Sequence, residues 1–396
     1  MAQQVLIYRL TGSASALGIV SFIQVIPLVP FALWGGTLAD RLSKRTLVLI
    51  TQTLMMVQAF LLALLTWTGV IEIWHIYLMA FLLGAAKAVD MPARQSFIVE
   101  MVEGRDDLTS AIGLNSAIHN LARTLGPALA GVAVATLGEA IAFTVNGVSF
   151  LAVIGSLLMM RGLAKPQPKK EGQAPILDEI KEGARYVLKQ QTILVLMSLV
   201  AVSAFLARPY STLMPVFADV LLGESSQPVV AFLCNGENPV LQCRTPEALP
   251  LGLLLSAVGV GAVIGAFVVA SLPGGARRGW WLTIGNLALP SLLMLFVLSR
   301  SFLLSMLLLI LVGMSQVFQN SLANTLLQIT TPDSLRGRVM SQYSLISGGM
   351  HHLGGLQAGL MADWLSAPLS VGLGAGISLF YGLFVALRYP RLRDLA

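Results

Sequence analysis

Three ionisable side chains recur at helical spacing inside one apolar stretch of the chain. Lys87, Asp90 and Arg94 occupy positions i, i+3 and i+7, so a helix would carry all three on one side. Charges within an apolar helix are costly unless they pair with each other or face water. Lys87 and Asp90 therefore form either a neutralising ion pair or a site at which Asp90 takes up and releases protons.

Two further apolar stretches carry polar side chains at four-residue spacing, which again selects one helix face. These side chains are Asn115, His119 and Arg123 in residues 108–137, and Gln316, Asn320 and Asn324 between Arg300 and Asp333. We expect such groups to line a water-filled cavity or to hold neighbouring helices together by hydrogen bonds. His119 is also a candidate for proton transfer, because an imidazole titrates near neutral pH.

Arg208 and His351 stand apart from these stripes. Arg208 is the only charged residue in residues 192–218 and precedes Pro209, which frees backbone groups and permits a bend. It requires a carboxylate partner or an anionic ligand. His351 is followed by His352, and adjacent positions point about 100° apart on a helix, so the two imidazoles are not expected to share a metal. We predict no metal site, and His351 is either a packing residue or a proton-transfer group.

The elements that must position these residues are long and apolar. Of the 396 residues, 56% are hydrophobic and 11% charged, with a mean hydropathy of +0.79, whereas about a quarter of a soluble domain is charged. Eleven segments can hold the roughly 20 apolar residues that cross a bilayer. The first ten residues reach only about 15 Å, which predicts a truncated first helix or a short peripheral segment. The chain is thus predicted to be an all-α polytopic membrane protein.

Lys and Arg concentrate in alternate loops of this predicted topology. The loops after even-numbered segments and the C-terminal tail hold most of them, and the opposite loops hold few. By the positive-inside rule, the face rich in Lys and Arg is cytoplasmic. We therefore predict a multi-pass protein of the bacterial inner membrane with a cytoplasmic C-terminus. The net charge of +6 reflects this topology, so no nucleic-acid partner is expected.

Residues 161–190 are predicted to be a cytoplasmic linker between two helical bundles, residues 1–160 and 191–396. Its second half places apolar and charged residues on opposite faces, which is typical of an amphipathic helix on a membrane surface. Residues 220–248 are predicted to be an extracytoplasmic loop. This loop contains Cys234 and Cys243, which in an oxidising compartment form a disulfide or remain two free thiols.

Two motifs resemble those of the major facilitator superfamily. The segment GGTLADRLSKR matches its loop signature between helices 2 and 3, and LARTLGPALAG resembles the Gly-Pro motif in helix 5 of its proton antiporters. The matching residues are Gly36, Asp40, Arg41, Lys44 and Arg45 in the first motif, and Gly126, Pro127 and Gly131 in the second. Segments such as AVDMPARQSFIVEMV are similar to the branch that exports enterobactin and macrolides.

This resemblance implies two six-helix bundles that rock around a central cavity. It further implies proton-coupled efflux of an amphipathic drug, siderophore or metabolite, with Arg94 as a gate partner for Asp40. Substrate contacts are expected from Asn115, Arg123 and Arg208 and from the stripe that contains Gln316. The alternatives are an importer of the same fold, and a membrane receptor or lipid scramblase without coupled transport.

No phosphate-binding Gly-x-x-x-x-Gly-Lys loop and no catalytic motif occurs in the sequence. The chain is therefore not predicted to be an enzyme or to bind a cofactor. Its expected partners are the lipid bilayer, a small-molecule substrate and protons, and it is expected to act as a monomer.

Overall fold

The computed structural model describes residues 1–27, 43–101, 105–160, 176–235, 242–273 and 276–395, and within these ranges all regular structure is helical. The helices are α1 (Ala2–Thr11), α2 (Ala14–Val25), α3 (Lys44–Trp67), α4 (Ile73–Glu100), α5 (Arg105–Leu137), α6 (Glu139–Met159), α7 (Ile176–Lys189), α8 (Gln191–Leu221), α9 (Gly223–Val230), α10 (Ala248–Ala270), α11 (Arg278–Leu298), α12 (Phe302–Thr330), α13 (Asp333–Leu365) and α14 (Ala367–Arg388). This arrangement confirms the predicted all-α fold.

Eight of the described helices are long and apolar enough to cross a membrane. They are α3, α6, α8, α10, α11, α12, α14 and the apolar part of α4, Ile73–Met91. The segments predicted at residues 108–137 and 339–362 fall within α5 and α13, which are also long but carry charged or polar residues. Polar residues in a membrane helix are expected to face other helices or a cavity.

The first ten residues are an internal part of the bundle. Leu6 and Ile7 are fully buried and pack in one apolar cluster with Leu17 of α2 and Ile76 of α4. The alternative of a short peripheral segment is therefore wrong. The chain turns directly from α1 into α2 at Gly12, whose φ of 60° lies in the left-handed region that favours glycine.

Helix α8 is irregular around its proline residues. Wide turns at Ser203–Ala207 lead into a tight turn at Arg208–Ser211, and a further wide turn covers Phe217–Leu221. Because Pro209 lacks a backbone N–H and its ring crowds the preceding turn, regular α-helical bonding cannot pass through it. Arg208 therefore leaves the helix at a point of altered backbone geometry.

The segment predicted to be an extracytoplasmic loop, residues 220–248, contains a short helix. Residues Gly223–Val230 are helical, although the stretch is polar at its start and contains Pro228. Ser226 and Val230 are buried on its inner side, so tertiary packing outweighs the local signals for a loop.

The helices form an N-terminal group, α1 to α6, and a C-terminal group, α8 to α14, that meet mainly through two helix pairs. Helix α2 packs against α13, and α5 packs against α10. We call the end of the molecule that carries Cys234 and Cys243 the disulfide end, and the end that carries α7 the linker end. Helix α7 packs on α13, where Glu182 forms a 2.7 Å ion pair with Arg338.

Candidate functional site

A cavity of about 330 Å³ is lined mainly by α8, α10, α12 and α13 of the C-terminal group, beside α5 of the N-terminal group. Its wall includes Arg208, Tyr210 and Ser211 of α8, together with His351 of α13. Pro127 of α5 is the contribution of the N-terminal group. The cavity therefore collects polar side chains at membrane depth, where such groups are seldom placed without a function.

Arg208 reaches this cavity because the backbone of α8 is irregular around it. Its guanidinium donates a hydrogen bond of 3.0 Å to the hydroxyl of Ser347 on α13, and its side chain stays partly exposed. Tyr210 makes a long hydroxyl contact of 3.5 Å with the amide oxygen of Gln316. The Arg208 side chain is thus linked to α13 at the cavity wall.

The polar stripe predicted on α12 divides between two environments. Gln316 and Asn320 line the cavity, and Asn324 accepts a hydrogen bond from Gln328 on the same exposed face. Gln319, one position from the stripe, is buried instead. It accepts a 2.6 Å hydrogen bond from Ser203 and donates one of 2.6 Å to Asn286, so it joins α8, α12 and α11.

One face of α4 changes from buried to exposed along its length. Ile76, Ala80, Lys87, Met91 and Arg94 follow one another at spacings of four, seven, four and three residues, which keeps them on a common face. The first two are fully buried, whereas the last three are exposed. This face is therefore covered at the disulfide end and open toward the linker end.

Asp90 pairs with Arg94, and the predicted pairing with Lys87 is wrong. The Asp90 carboxylate lies 3.1 Å from the Arg94 guanidinium and accepts hydrogen bonds of 2.7 and 2.9 Å from Thr51 and Gln52 of α3. Helical side chains tilt toward the helix N-terminus, so Arg94 leans toward Asp90 while Lys87 leans away from it. Asp90 is thereby buried as a tie between α3 and α4.

The two adjacent histidines face different surroundings, as their angular separation on a helix requires. His351 lines the cavity, whereas the Nδ1 atom of His352 lies 3.0 Å from the hydroxyl of Ser21 on α2. His352 therefore bridges the two helix groups. No cluster of three or more metal-ligating side chains occurs among the described residues.

The residues of the Gly-Pro motif bring α5 and α10 into close contact. A Cβ atom on Gly131 would lie 2.6 Å from the Cα of Gly252, and Pro127 lines the cavity one turn away. Gly126 has open space around it. Of the other predicted residues on α5, Asn115 is exposed, and the side chains of His119 and Arg123 lie outside the described residues.

Only part of the loop signature can be located. Gly36, Asp40 and Arg41 lie outside the described residues, so the predicted contact of Asp40 with Arg94 stays a prediction. Arg45 donates hydrogen bonds of 2.8 and 3.0 Å to the carbonyl groups of Leu157 and Leu158. It thus caps the C-terminus of α6, where a cation satisfies otherwise unbonded carbonyl groups. Lys44 begins α3, one residue before Arg45.

At the disulfide end, the two helix groups are held together by polar contacts. The Asp363 carboxylate of α13 accepts hydrogen bonds of 2.9 and 3.1 Å from the backbone N–H groups of Ala14 and Ser15, and one of 2.9 Å from the Ser13 hydroxyl. These donors form the N-terminus of α2, so Asp363 caps a helix of the opposite group. We call this set of contacts the Asp363 cap.

Cys234 and Cys243 form a disulfide, with Cα atoms 5.3 Å apart. Beside it, the backbone N–H groups of Arg244 and Thr245 donate to the carbonyl oxygen of Ala135, at 2.7 and 2.8 Å. The segment after the disulfide is thereby fastened to the end of α5, across the two helix groups.

Some of these residues give little signal in the sequence. Asp363 looks like an ordinary helix-terminal acid, and its partners are almost 350 positions away. Ser21 is a single hydroxyl residue in an apolar stretch, and Ser347 is one of several serines in its segment. Asn286 is the one exception, because an amide alone in an apolar helix predicts a hydrogen bond to another helix.

Together, the helical fold, the cavity bordered by both helix groups and the ionisable residues at membrane depth define a multi-pass membrane transporter of the major facilitator type. The chain matches the transmembrane secretion effector family over residues 1–234 and 239–395, and it belongs to that family.

Curated relatives include transporters of several kinds. The multidrug efflux pump Tap of Mycobacterium tuberculosis is 26% identical, covering 98% of this chain and 88% of the pump. The enterobactin exporter EntS of Shigella boydii is 25% identical, covering 91% and 80% of the two chains. The staphyloferrin A transporter of Staphylococcus aureus is 26% identical over 54% of this chain and 53% of that transporter.

Solved structures of other transporters have the same overall fold as this chain. The nucleoside transporter NupG covers 98% of this chain and 93% of its own, with a TM-score of 0.73 at 12% identity. A bacterial homologue of the lysosomal transporter Spinster covers 99% of this chain and 92% of its own, with a TM-score of 0.67 at 13% identity.

Proposed function

We propose that the protein is a secondary transporter of a bacterial inner membrane that exports an amphipathic small molecule in exchange for protons. The linker end is cytoplasmic in this proposal, because Lys and Arg concentrate there. The efflux relatives support export, since the chain spans most of the pump Tap and of the exporter EntS.

The observation that carries the proposal is the change along α4. A face that is buried at Ile76 and Ala80 becomes exposed at Lys87 and Met91, which supports an interior that opens toward the linker end. The Asp363 cap and the contact of Gly131 with Gly252 hold the opposite end together. A transporter that works by alternating access needs such a state, and it needs end contacts that can separate in the opposite state.

We assign the exchanged proton to His351. Its imidazole is on the cavity wall, and histidine is the side chain whose ordinary pKa lies near neutral pH. Asp90 is another candidate from the sequence, but its carboxylate is occupied by Thr51, Gln52 and Arg94 and is not part of that wall. We therefore give Asp90 a structural role.

The test uses inside-out membrane vesicles that contain the full chain and are loaded externally with amphipathic dyes such as rhodamine 6G and fluorescein. An imposed proton gradient should drive accumulation of at least one dye, and a protonophore should abolish it. Proton-coupled export would be rejected if the protonophore had no effect on dye accumulation. It would also be rejected if no dye accumulated at normal protein levels.

His351→Gln should abolish gradient-driven accumulation while leaving downhill exchange of the dye, because the amide keeps polar contacts but does not titrate. The matched control is His75→Gln, which removes a half-buried imidazole at the disulfide end of α4, outside the cavity wall. Full gradient-driven accumulation by the His351 variant would show that the proton is carried elsewhere.

A further inference from the structure

Two segments from distant parts of the sequence meet at the linker end of the C-terminal group. One is the start of α11, and the other is the turn Pro390–Asp394, which follows α14. The backbone N–H of Gly279 donates a 2.9 Å hydrogen bond to the carbonyl oxygen of Leu395. A Cβ atom on Gly279 would overlap the carbonyl group of Leu392, so the two backbones are in direct contact. The segment after α14 is thereby fixed against α11.

These contacts place five arginine residues within two touching segments. Arg393 joins the segments, because its guanidinium donates a 2.7 Å hydrogen bond to the carbonyl oxygen of Ala386 and lies 5.7 Å from the centre of the Trp280 ring. The other four are Arg277 and Arg278 at the start of α11, and Arg388 and Arg391 at and beyond the end of α14. We call these five residues the arginine patch.

The charge of the arginine patch is poorly balanced by the protein around it. The described residues of the two segments, 276–282 and 386–395, contain one carboxylate, that of Asp394. It lies 3.9 Å from the Arg277 guanidinium, and both side chains are largely exposed. Such a pair contributes little to stability, and it offsets one of the five positive charges. Because like charges repel each other, the patch favours an anion from outside the two segments.

The arginine patch lies at the edge of the apolar part of the molecule. The apolar spans of α11 and α14 are Arg278–Leu298 and Ala367–Arg388, so each ends in an arginine residue at the linker end. Trp280 is 48% exposed in the same region, and tryptophan is enriched where the hydrocarbon core meets the lipid head groups. The guanidinium groups are therefore expected at the depth of the lipid phosphates.

An exposed apolar face of α14 leads to the arginine patch. Ile377, Phe380 and Phe384 are each at least half exposed, and their spacings of three and four residues place them on one side of the helix. Arg388 follows Phe384 after four more residues and is also exposed. A lipid chain that lies along this face would bring its head group to the arginine patch.

We propose that the arginine patch binds the phosphate group of an anionic phospholipid whose acyl chains lie along α14. Guanidinium groups match phosphate oxygens through paired hydrogen bonds, and clusters of cations at a membrane surface attract anionic lipids. The phosphate offsets the repulsion among the arginine side chains, so it stabilises the contact of α11 with the segment after α14. This site is separate from the cavity, and its occupancy requires neither a proton gradient nor a transported substrate.

The experiment counts the lipids that remain bound to the purified full chain, using native mass spectrometry from detergent. The two probes are phosphatidylglycerol, which has a net negative charge, and phosphatidylcholine with the same acyl chains, which has none. We expect phosphatidylglycerol to be retained at concentrations about tenfold lower, because more than one cation contributes. An excess of inorganic phosphate should not displace it, since the acyl chains also contribute to binding.

A chain with both Arg388→Gln and Arg391→Gln should need about tenfold more phosphatidylglycerol for the same retention. The matched control carries Arg244→Gln and Arg300→Gln, which remove two exposed arginine residues at the disulfide end, and it should behave as the parent does. Arg388→Lys with Arg391→Lys keeps both charges and should retain most of the binding. Unfolding temperatures measured without added lipid establish that each variant is folded.

Equal retention of the two lipids by the parent chain would overturn the proposal. An equal loss in the control chain would also overturn it, because the binding would then depend on net charge and not on the arginine patch. Displacement by inorganic phosphate would show that the patch binds phosphate from solution instead of a lipid head group. Retention that depends on charge at Arg388 and Arg391 alone would support the lipid site.

Discussion

Asp90 lies at membrane depth with its carboxylate shared among Thr51, Gln52 and Arg94, so a single side chain connects α3 to α4. Arg208 presents a contrasting case, because it faces a cavity and its hydrogen bond is made to the neutral hydroxyl of Ser347. Both residues are rare charges in apolar helices. Their surroundings differ, because the Asp90 carboxylate joins two helices whereas the Arg208 side chain is part of a cavity wall.

We expect Asp90→Asn to lower the yield and thermal stability of the protein, because the variant leaves Arg94 without its carboxylate. Removing one partner of a fully buried pair costs about 3–5 kcal/mol, and the cost should be smaller here because the Arg94 side chain is 46% exposed. Arg94→Gln in the same chain should restore much of the yield. Thermal unfolding of the purified variants measures both effects.

Lys87→Met is the control for that rescue, because Lys87 has the same charge and lies on the same face of α4. It should not restore the Asp90→Asn chain. If Lys87→Met rescued and Arg94→Gln did not, Lys87 would be the functional partner of Asp90 after all.

At the scale of elements, the contact between α5 and α10 depends on two glycine residues. Gly131 and Gly252 allow the backbones to touch, since a Cβ atom on either would lie within 2.7 Å of the Cα of the other. Close helix contact through small residues is a common way to join helices in a membrane. Here the contact joins the two helix groups, so it has to form and separate during alternating access.

Gly131→Ala should impair closure of the disulfide end and reduce transport strongly, because the added methyl group meets backbone atoms that cannot rotate away. Gly126→Ala is the matched control on the same helix, since no atom lies within 4 Å of its Cβ position. Alanine should there be neutral or stabilise α5 by up to about 1 kcal/mol. Dye efflux at equal protein levels compares the two, and equal losses would contradict a packing role for Gly131.

The sequence predicts much of the fold because charge and apolar periodicity are local. Charge-free stretches predicted the helices that became α3, α6, α10 and α14, and facing apolar and charged residues predicted α7. The partner of a charged or polar side chain depends less on residues that are near it in the sequence. The preference of Asp90 for Arg94 over Lys87 depends on side-chain tilt, and the burial of Gln319 beside exposed Gln328 depends on how α12 is rotated.

Contacts between the two helix groups are the least predictable part of the site. The Asp363 cap joins residues that no short-range pattern connects, and the contact of His352 with Ser21 forms only through the packing of α2 against α13. Such contacts belong to one conformation of the whole molecule. A single sequence pattern cannot specify them, because a transporter has to form and break them with the same residues.

The disulfide provides a test of the topology of the whole molecule. An impermeant maleimide added to intact cells should label the protein only after mild reduction, with Cys243 reacting first because Cys234 is buried. Labelling before reduction would contradict the disulfide in the membrane-inserted protein. The absence of labelling in both states would place the disulfide end on the cytoplasmic side and reverse the proposed orientation.

The Asp363 cap should set the balance between the two conformations of the molecule. Asp363→Ala removes the acceptor for two backbone N–H groups at the N-terminus of α2. Losing a helix cap costs about 0.5–2 kcal/mol, and about 1.4 kcal/mol changes an equilibrium constant tenfold. The population of the state open at the disulfide end should therefore increase several-fold. This free-energy cost applies only to the state closed at the disulfide end. Asp363 and the N-terminus of α2 belong to different helix groups, so their contact is absent once that end opens. Asp394→Ala removes an exposed carboxylate at the linker end and should leave the balance unchanged.

A cysteine placed at Gln316 on the cavity wall reports this balance, since the native cysteines are joined in a disulfide and do not react. In intact cells, an impermeant maleimide should label Gln316→Cys several-fold faster in the Asp363→Ala chain than in the parent or the Asp394→Ala chain. Purified protein should unfold at nearly the same temperature in all three, because the cap bridges the two groups and adds little to the core of either. Equal labelling rates would mean that the Asp363 cap does not hold the disulfide end closed, and that the contact of Gly131 with Gly252 does so without it.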